Sequence, residues 1–348
     1  MLVLVHEFGH FITALRLGVR VEKFSFGFGP KIFSFKRKET EYLVSCIPLG
    51  GYVKMAGDEP SEAKNNPWEF LSKPAGDRFK IIFAGPLLNY LLAFFIFSLI
   101  FMFGSPTPTT EVGSLLKDYP AQNLGILAGD KVIALDGKKV GTWEEMTEII
   151  HKRVDGSIRF TIERKGKTFD LDIKPVVRRI KDIFGKEAAF ALVGIAPSQK
   201  MEKIRYGFFK SFEMGGKKLA QLTAITYKAI WFMVTGRLSL KESMTGPIGI
   251  FIITGKAAQM GLIYILHLMG ILSASLAIFN VLPFPVLDGG HILFLAIEKI
   301  RGKPLPVKTQ EVITNIGVTL LILLTIFIFY NDIIKFGIFE KLFGQFKK

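Results

Sequence analysis

The chain has 348 residues, of which 49 % are hydrophobic, and its 45 Lys and Arg against 30 Asp and Glu give a formal net charge of +15. That apolar fraction is ordinary for a soluble domain, but its distribution excludes a simple soluble fold: residues 81–103 and 312–330 carry no formal charge, and residues 257–297 carry one, at Asp288. The basic residues are spread through the connecting segments and most of the 33 Phe fall in apolar runs, so the charge reads as lipid-headgroup and topology charge, with no nucleic-acid partner expected.

The predicted elements begin with a first transmembrane helix over 1–19, containing HEFGH at 6–10. Its apolar stretch ends before Arg16, and fifteen helical residues give roughly 22 Å against a bilayer core of roughly 30 Å. Either the first span is N-terminally truncated or it enters the membrane only part way. A signal peptide fits less well, because His6, Glu7 and His10 interrupt the apolar run and no basic region precedes it. Residues 20–79 form a membrane-associated β-region: the alternating stretches KIFSF and EYLVSCI are bracketed by GFGP and PLGGYVKMAG, which reads as β-hairpins. A second transmembrane helix is predicted over 80–104.

Residues 105–180 follow as a water-soluble α+β domain. SPTPTT opens it as a linker, and KVIAL, IRFTIER and FDLDI read as strands. Between them Trp143–Arg153 has a helical pattern, and Thr142 with Glu145 suits a capping box. An amphipathic helical region is expected over 181–256, where Phe, Trp and Leu alternate with Lys at helical spacing; a membrane-surface helix and a helix packed on the domain both fit. A third, interrupted transmembrane segment covers 257–298. A cytoplasmic loop at 299–311, a fourth span at 312–331 and a C-terminal tail at 332–348 complete the chain. The fold class is therefore a polytopic α-helical membrane protein of about four transmembrane helices, with a β-hairpin region and an inserted α+β domain.

HEFGH is an H-E-x-x-H motif. On a helix, His6 and His10 lie one turn apart on one face and can reach one Zn²⁺, with Glu7 placed beside water as general base. Glu7 lies within LVLVHEFGHFITAL, where an ionisable side chain is costly and functional by default. A catalytic zinc takes three protein ligands and needs one more. Asp288, the lone acid of its apolar run, requires a cation, and Zn²⁺ fits. It sits in NVLPFPVLDGGH, where Pro283 and Pro285 break the helix and Gly289 and Gly290 free the backbone. Two non-proteolytic readings stay open on these residues: a membrane scaffold presenting a peptide-binding module, and an ion transporter built on Asp288 and its broken helix.

Segment Gly125–Met146 resembles a bacterial protease-associated PDZ domain. HEFGH, PLGGYVKM, FAGPLLNYLLA, GPIG and NVLPFPVLDGG, in this order and with one PDZ-like insertion, resemble the RseP-like branch of the site-2 protease family over nearly the whole chain. The resemblance implies an intramembrane zinc metalloprotease in the bacterial cytoplasmic (inner) membrane, with His6, His10 and Asp288 as zinc ligands and Glu7 as base. It implies that Asn280 donates to the scissile carbonyl or its oxyanion, and that the β-region, at Gly50, Gly51 and Tyr52, pairs with an unwound substrate strand. Its substrates would be single-span proteins already shortened by another protease, such as anti-sigma factors or remnant signal peptides. Some relatives carry two PDZ-like modules where one fits here, and the family's apolar stretch before the first motif histidine is longer.

The eleven Lys and Arg of 20–80 and the four of 299–311 place those loops in the cytoplasm, so the PDZ-like domain faces the extracytoplasmic side; the lysines of the tail oppose this assignment. His291 is read as a pore-side histidine or one behind the ligands, His267 as a packing residue, His151 as a surface residue and Cys46 as a small apolar residue. Asn89 is read either as helix-packing glue or as approaching the site.

Overall fold

The computed structural model describes residues 1–181, 187–198 and 200–337. Most of the expected C-terminal tail, including Lys341, Lys347 and Lys348, lies outside them, as do 182–186 and 199 of the expected post-domain region. The chain forms two compact units, one of residues 1–99, 212–228 and 240–348, the other of residues 100–211 and 229–239.

The first unit opens with helix α1, Leu2–Arg16, which buries His6, Gly9, His10, Phe11 and Ala14 along one face. Strands β1, Val21–Arg37, and β2, Thr40–Met55, follow as an antiparallel pair. Both are bent. Phe24 pairs with Val53 on one side and with Tyr42 on the other, so the first half of β1 lies between the two halves of β2. Gly27 and Gly29, at φ +94° and +84°, allow the bend, which a residue with a Cβ would resist. Gly51–Met55 is then an edge, with no second strand beside it among the described residues. Phe11, Val19, Val21 and Ile81 close the small core between α1, this sheet and helix α2, Ala75–Phe103.

The second unit contains the inserted domain. Its elements are β3, Ser105–Pro108, β4, Val112–Leu115, α3, Pro120–Asn123, β5, Lys131–Leu135, β6, Lys138–Lys139, α4, Trp143–Lys152, β7, Ile158–Arg164, β8, Lys167–Ile173, β9, Val176–Lys181, β10, Glu187–Leu192, β11, Ile195–Pro197, and β12, Met201–Ile204. A four-stranded antiparallel sheet has the order β6-β5-β7-β8. Ile158, Phe160 and Ile162 point from β7 into the core while Arg159 faces solvent, the period of two expected of a half-buried strand. β11 pairs with β4 and β12 with β3, so strand pairing carries the domain to Ile204, past the expected end at 180. α4 is capped as expected: Thr142 Oγ1 accepts from the Glu145 N–H at 3.1 Å, and Glu145 Oε2 reaches back to the Gly141 N–H at 3.0 Å. Asp130, buried, is gripped by Arg164 through two 2.7 Å hydrogen bonds and also accepts from the Leu127 N–H.

Five helices follow: α5, Phe208–Val234; α6, Leu240–Ser243; α7, Pro247–Met260; α8, Leu262–Val281; and α9, Asp288–Arg301. α10, Val307–Lys335, is the last among the described residues. α8 stops ahead of Pro283 and Pro285, which cannot donate to a continuing helix. The expected third segment is thus one apolar helix, a broken turn and a second helix. Within the first unit, the fully buried Asp332 of α10 accepts from the N–H groups of Gly246 and Gly249 at 3.0 and 2.9 Å and so closes the N-terminus of α7.

Three helices among the described residues are long and apolar enough to cross a membrane: α2, α8 and α10. Four spans were expected. α1 is helical over fifteen residues and is not among the three, the shortfall already visible in its length.

Candidate metal centre

The helical spacing of HEFGH sets His6 and His10 side by side on the buried face of α1, with Nε2 atoms 3.2 Å apart. Asp288, the first residue of α9, brings Oδ2 to 3.0 Å from His6 Nε2 and 3.6 Å from His10 Nε2. The three donor atoms lie within 4.8 Å of one another, the one such cluster of potential metal donors among the described residues. Buried Asp288 Oδ2 nevertheless has no hydrogen bond of acceptable geometry. Two ligands about 2.0–2.1 Å from a tetrahedral Zn²⁺ stand about 3.3 Å apart, and the observed separations of 3.0, 3.2 and 3.6 Å bracket that value. A buried acceptor left without a donor, facing two imidazole nitrogens at coordination spacing, fits a zinc ion.

The surroundings fix these side chains. His10 Nδ1 donates to the carbonyl of Ile81 at 2.8 Å, which leaves Nε2 free to ligate. Gly85 makes room for both rings: a Cβ there would lie 2.3 Å from His10 Nε2 and 2.9 Å from His6 Cε1. Gly9 likewise lets α1 meet α2, since its Cβ would stand 2.4 Å from the Ala84 carbonyl oxygen. On α9, a Cβ on Gly289 would strike the Leu282 carbonyl oxygen at 2.1 Å, so the turn that carries Asp288 closes only over glycine.

Glu7 lies close enough to both rings and to Asp288 to feel their charge, and it also reaches the sheet. Its Cγ lies 3.5 Å from where a Cβ on Gly51 would be, and the backbone N–H of Val53 faces its carboxylate. The Glu7 carboxylate therefore sits between the metal donors and the open edge of β2. Asn280, near the end of α8, holds Nδ2 3.5 Å from His6 Nε2. Gly50 has φ +123° and takes the Phe28 ring where a side chain would stand, and Tyr52 stacks on that ring with centroids 6.2 Å apart. Of the three sheet residues named from sequence, Gly51 is beside Glu7, while Gly50 and Tyr52 pack around Phe28.

His291 lies on α9 against Phe294 and is outside the donor cluster. His267 faces Phe97. His151 packs edge-on to Phe190, and burial pushes its imidazole below the ordinary value, so it is not the simple surface residue expected. Cys46 is exposed, not packed as a small apolar residue would be. The sequence reading overlooked Gly85 and the Ile81 carbonyl. Gly85 and Asn89, four apart on an apolar helix, were the available signal of a close approach.

The family model described as Peptidase family M50 matches residues 1–324. A protein of Agrobacterium fabrum named as a zinc metalloprotease is 33 % identical over 96 % of this chain and 93 % of its own length. The zinc metalloprotease RasP of Geobacillus kaustophilus is 31 % identical over 96 % of both chains. Among solved structures, the PDZ domain of an SdrC-like protein from Listeria monocytogenes is similar to 26 % of this chain and 87 % of its own, at 25 % identity and a TM-score of 0.21.

Proposed function

The chain belongs to peptidase family M50, the site-2 protease family, and is a membrane-embedded zinc metalloprotease; on that premise we propose that it cuts single-span membrane proteins within or beside the bilayer, with His6, His10 and Asp288 as zinc ligands and Glu7 as general base. The observation that carries the reading is Asp288 Oδ2, buried without a donor and aimed at the two Nε2 atoms. Bound zinc supplies a Lewis acid that polarises a carbonyl and lowers the pKa of water toward about 7.

This chain's residues do the rest. Glu7 takes a proton from the attacking water and returns it to the leaving amine. Asn280 donates through Nδ2 to the scissile carbonyl oxygen as negative charge grows there. The edge Gly51–Met55, ending beside Glu7, pairs with a substrate segment once it is extended, and Gly50, Gly51 and Tyr52 form its near end. Peptide pairing needs the substrate out of its helix, so a strand edge beside the base selects unwound segments. Anti-sigma factors and remnant signal peptides, shortened beforehand, are the substrate class, and the setting is regulated intramembrane proteolysis. The chain sits in the bacterial inner membrane with its PDZ-like domain on the extracytoplasmic side, where that domain holds back intact substrates; the basic loops 20–80 and 299–311 support this orientation. Membership of a protease family sets aside the scaffold and transporter readings.

Detergent-purified protein incubated with a tagged single-span substrate tests the assignment, with zinc quantified in wild type, Glu7→Gln and Asp288→Asn. Wild type should cut, Glu7→Gln should hold zinc without cutting, and Asp288→Asn should lose zinc. Full metal and activity in Asp288→Asn would overturn the ligand set.

A further inference from the structure

We propose that Asn89 is a positioning residue for His6, presenting its side-chain oxygen to the His6 Nδ1–H and so reserving Nε2 for the metal. The inference rests on the ligand reading above and deepens it. Asn89 lies on α2, fully buried, with Nδ2 3.4 Å from His6 Nδ1. Its Oδ1 is buried too and has no partner, although a buried amide oxygen without a donor is costly. The two orientations of a carboxamide differ only by exchange of its oxygen and nitrogen. Turning this one over gives Oδ1 the His6 Nδ1–H as donor.

The partner ring supports the same orientation. His10 Nδ1 already faces an acceptor, the Ile81 carbonyl, which fixes Nδ1 as the protonated nitrogen and Nε2 as the free one. Two imidazoles that use Nε2 on one ion each need an acceptor behind Nδ1. α2 supplies both: the backbone of Ile81 for His10 and the side chain of Asn89 for His6, with Gly85 midway between them making space for the rings. The Ile81 carbonyl, inside α2, has a second lone pair to offer His10 Nδ1; behind His6, two turns further on, the acceptor comes from a side chain, that of Asn89. Asn89 is itself held in place. The buried Ser273 hydroxyl donates to the Asn89 carbonyl at 2.8 Å, tying this turn of α2 to α8. An asparagine kept only for packing would not need its amide turned to the back of a zinc-facing ring.

Zinc affinity of the full chain in detergent, measured by competition with a chromophoric chelator, tests the proposal in wild type, Asn89→Ala and Asn89→Asp. The thermal midpoint of each apoprotein is measured alongside. Asn89→Ala should weaken zinc binding roughly 10–100-fold. Asn89→Asp offers oxygen in either orientation and should stay within about threefold of wild type, by the same reasoning. A packing role predicts the reverse order, because a buried carboxylate disturbs the core more than a small cavity does. Wild-type affinity in Asn89→Ala, or a loss in Asn89→Asp as large as in Asn89→Ala, overturns the proposal. If Asn89→Ala does not fold, Asn89→Asp decides alone, and if neither folds, Asn89 is a packing residue and the proposal fails. Absence of zinc from the wild type, by contrast, removes the ligand reading itself.

Discussion

The Asp332 carboxylate, near the end of α10, accepts the backbone N–H of Gly249 at 2.9 Å in the first turn of α7. With its second bond, to Gly246, it satisfies donors that a helix N-terminus otherwise leaves open, at a point too buried for water to replace it. Asp332→Ala should therefore cost about 2–4 kcal/mol, the range for stranding buried donors that had a charged acceptor. Asp332→Asn keeps one acceptor and should lose about half of that. Unfolding in detergent, with zinc content followed in parallel, checks both values. Zinc release ahead of unfolding would contradict a purely architectural role for this bond.

Two glycines of α2 should respond in opposite ways to the same change. Gly85→Ala drives a methyl group into His10 Nε2 and should reduce zinc affinity at least roughly tenfold, comparable to loss of a group supporting a ligand. Gly76→Ala meets nothing within 4 Å and should leave zinc untouched, with a stability gain of at most about 1 kcal/mol from helix propensity. Equal zinc binding in the two variants would mean that the rings are free to move away from α2.

In the inserted domain, burial alone would raise the Asp130 carboxyl, but the hydrogen bonds and charge of Arg164 outweigh it and hold the group below its ordinary value. A carboxylate depressed in the folded state contributes stability above its unfolded pKa of about 3.9, and that contribution disappears as pH falls through the folded value. The wild-type domain should thus weaken on acidification below about pH 4. In Arg164→Leu only burial and the Leu127 N–H remain. If burial prevails, the folded group titrates above the unfolded one, and mild acidification should stabilise the variant, which starts out less stable at neutral pH. Denaturation midpoints from pH 7 down to 3.5 read the slopes. Parallel slopes would show that Asp130 does not depend on Arg164.

Thr142→Ala removes the side-chain acceptor at the N-terminus of α4 and should cost about 1 kcal/mol, whereas Thr142→Ser should be close to neutral. Thermal unfolding of the full chain, followed through a probe in this domain, distinguishes the two. A loss of similar size in Thr142→Ser would shift the explanation from the cap to the threonine methyl.

The parts of this protein that could be read from its sequence are those where a local rule acts alone. The spacing in HEFGH is enough to put two imidazoles on one helix face, and a single acid in a long apolar run has few explanations besides a cation. Thr142 and Glu145 announce a cap because the box is set by four consecutive residues. What could not be read depends on partners distant in the chain. β11 and β12 have three and four residues, too few for periodicity, and they join the domain only by pairing with strands at its start. α10 begins at Val307, ahead of the expected 312, because Lys308 to Glu311 continue the helix without adding an apolar signal. The Ile81 carbonyl that orients His10 has no signature at all, since every residue of α2 carries the same group.

The bend in β1 has one further consequence. Because the strand doubles back at Gly27 and Gly29, its first half uses both of its edges inside the protein, and the sheet keeps two outer edges among the described residues: Lys31–Arg37, and the Gly51–Met55 side, which faces Glu7. An exposed edge is normally a hazard, because it recruits whatever extended chain comes near. On the reading proposed above, a peptide that adheres to the Gly51–Met55 side adheres beside the base that would cut it, whereas one that adheres to Lys31–Arg37 does not.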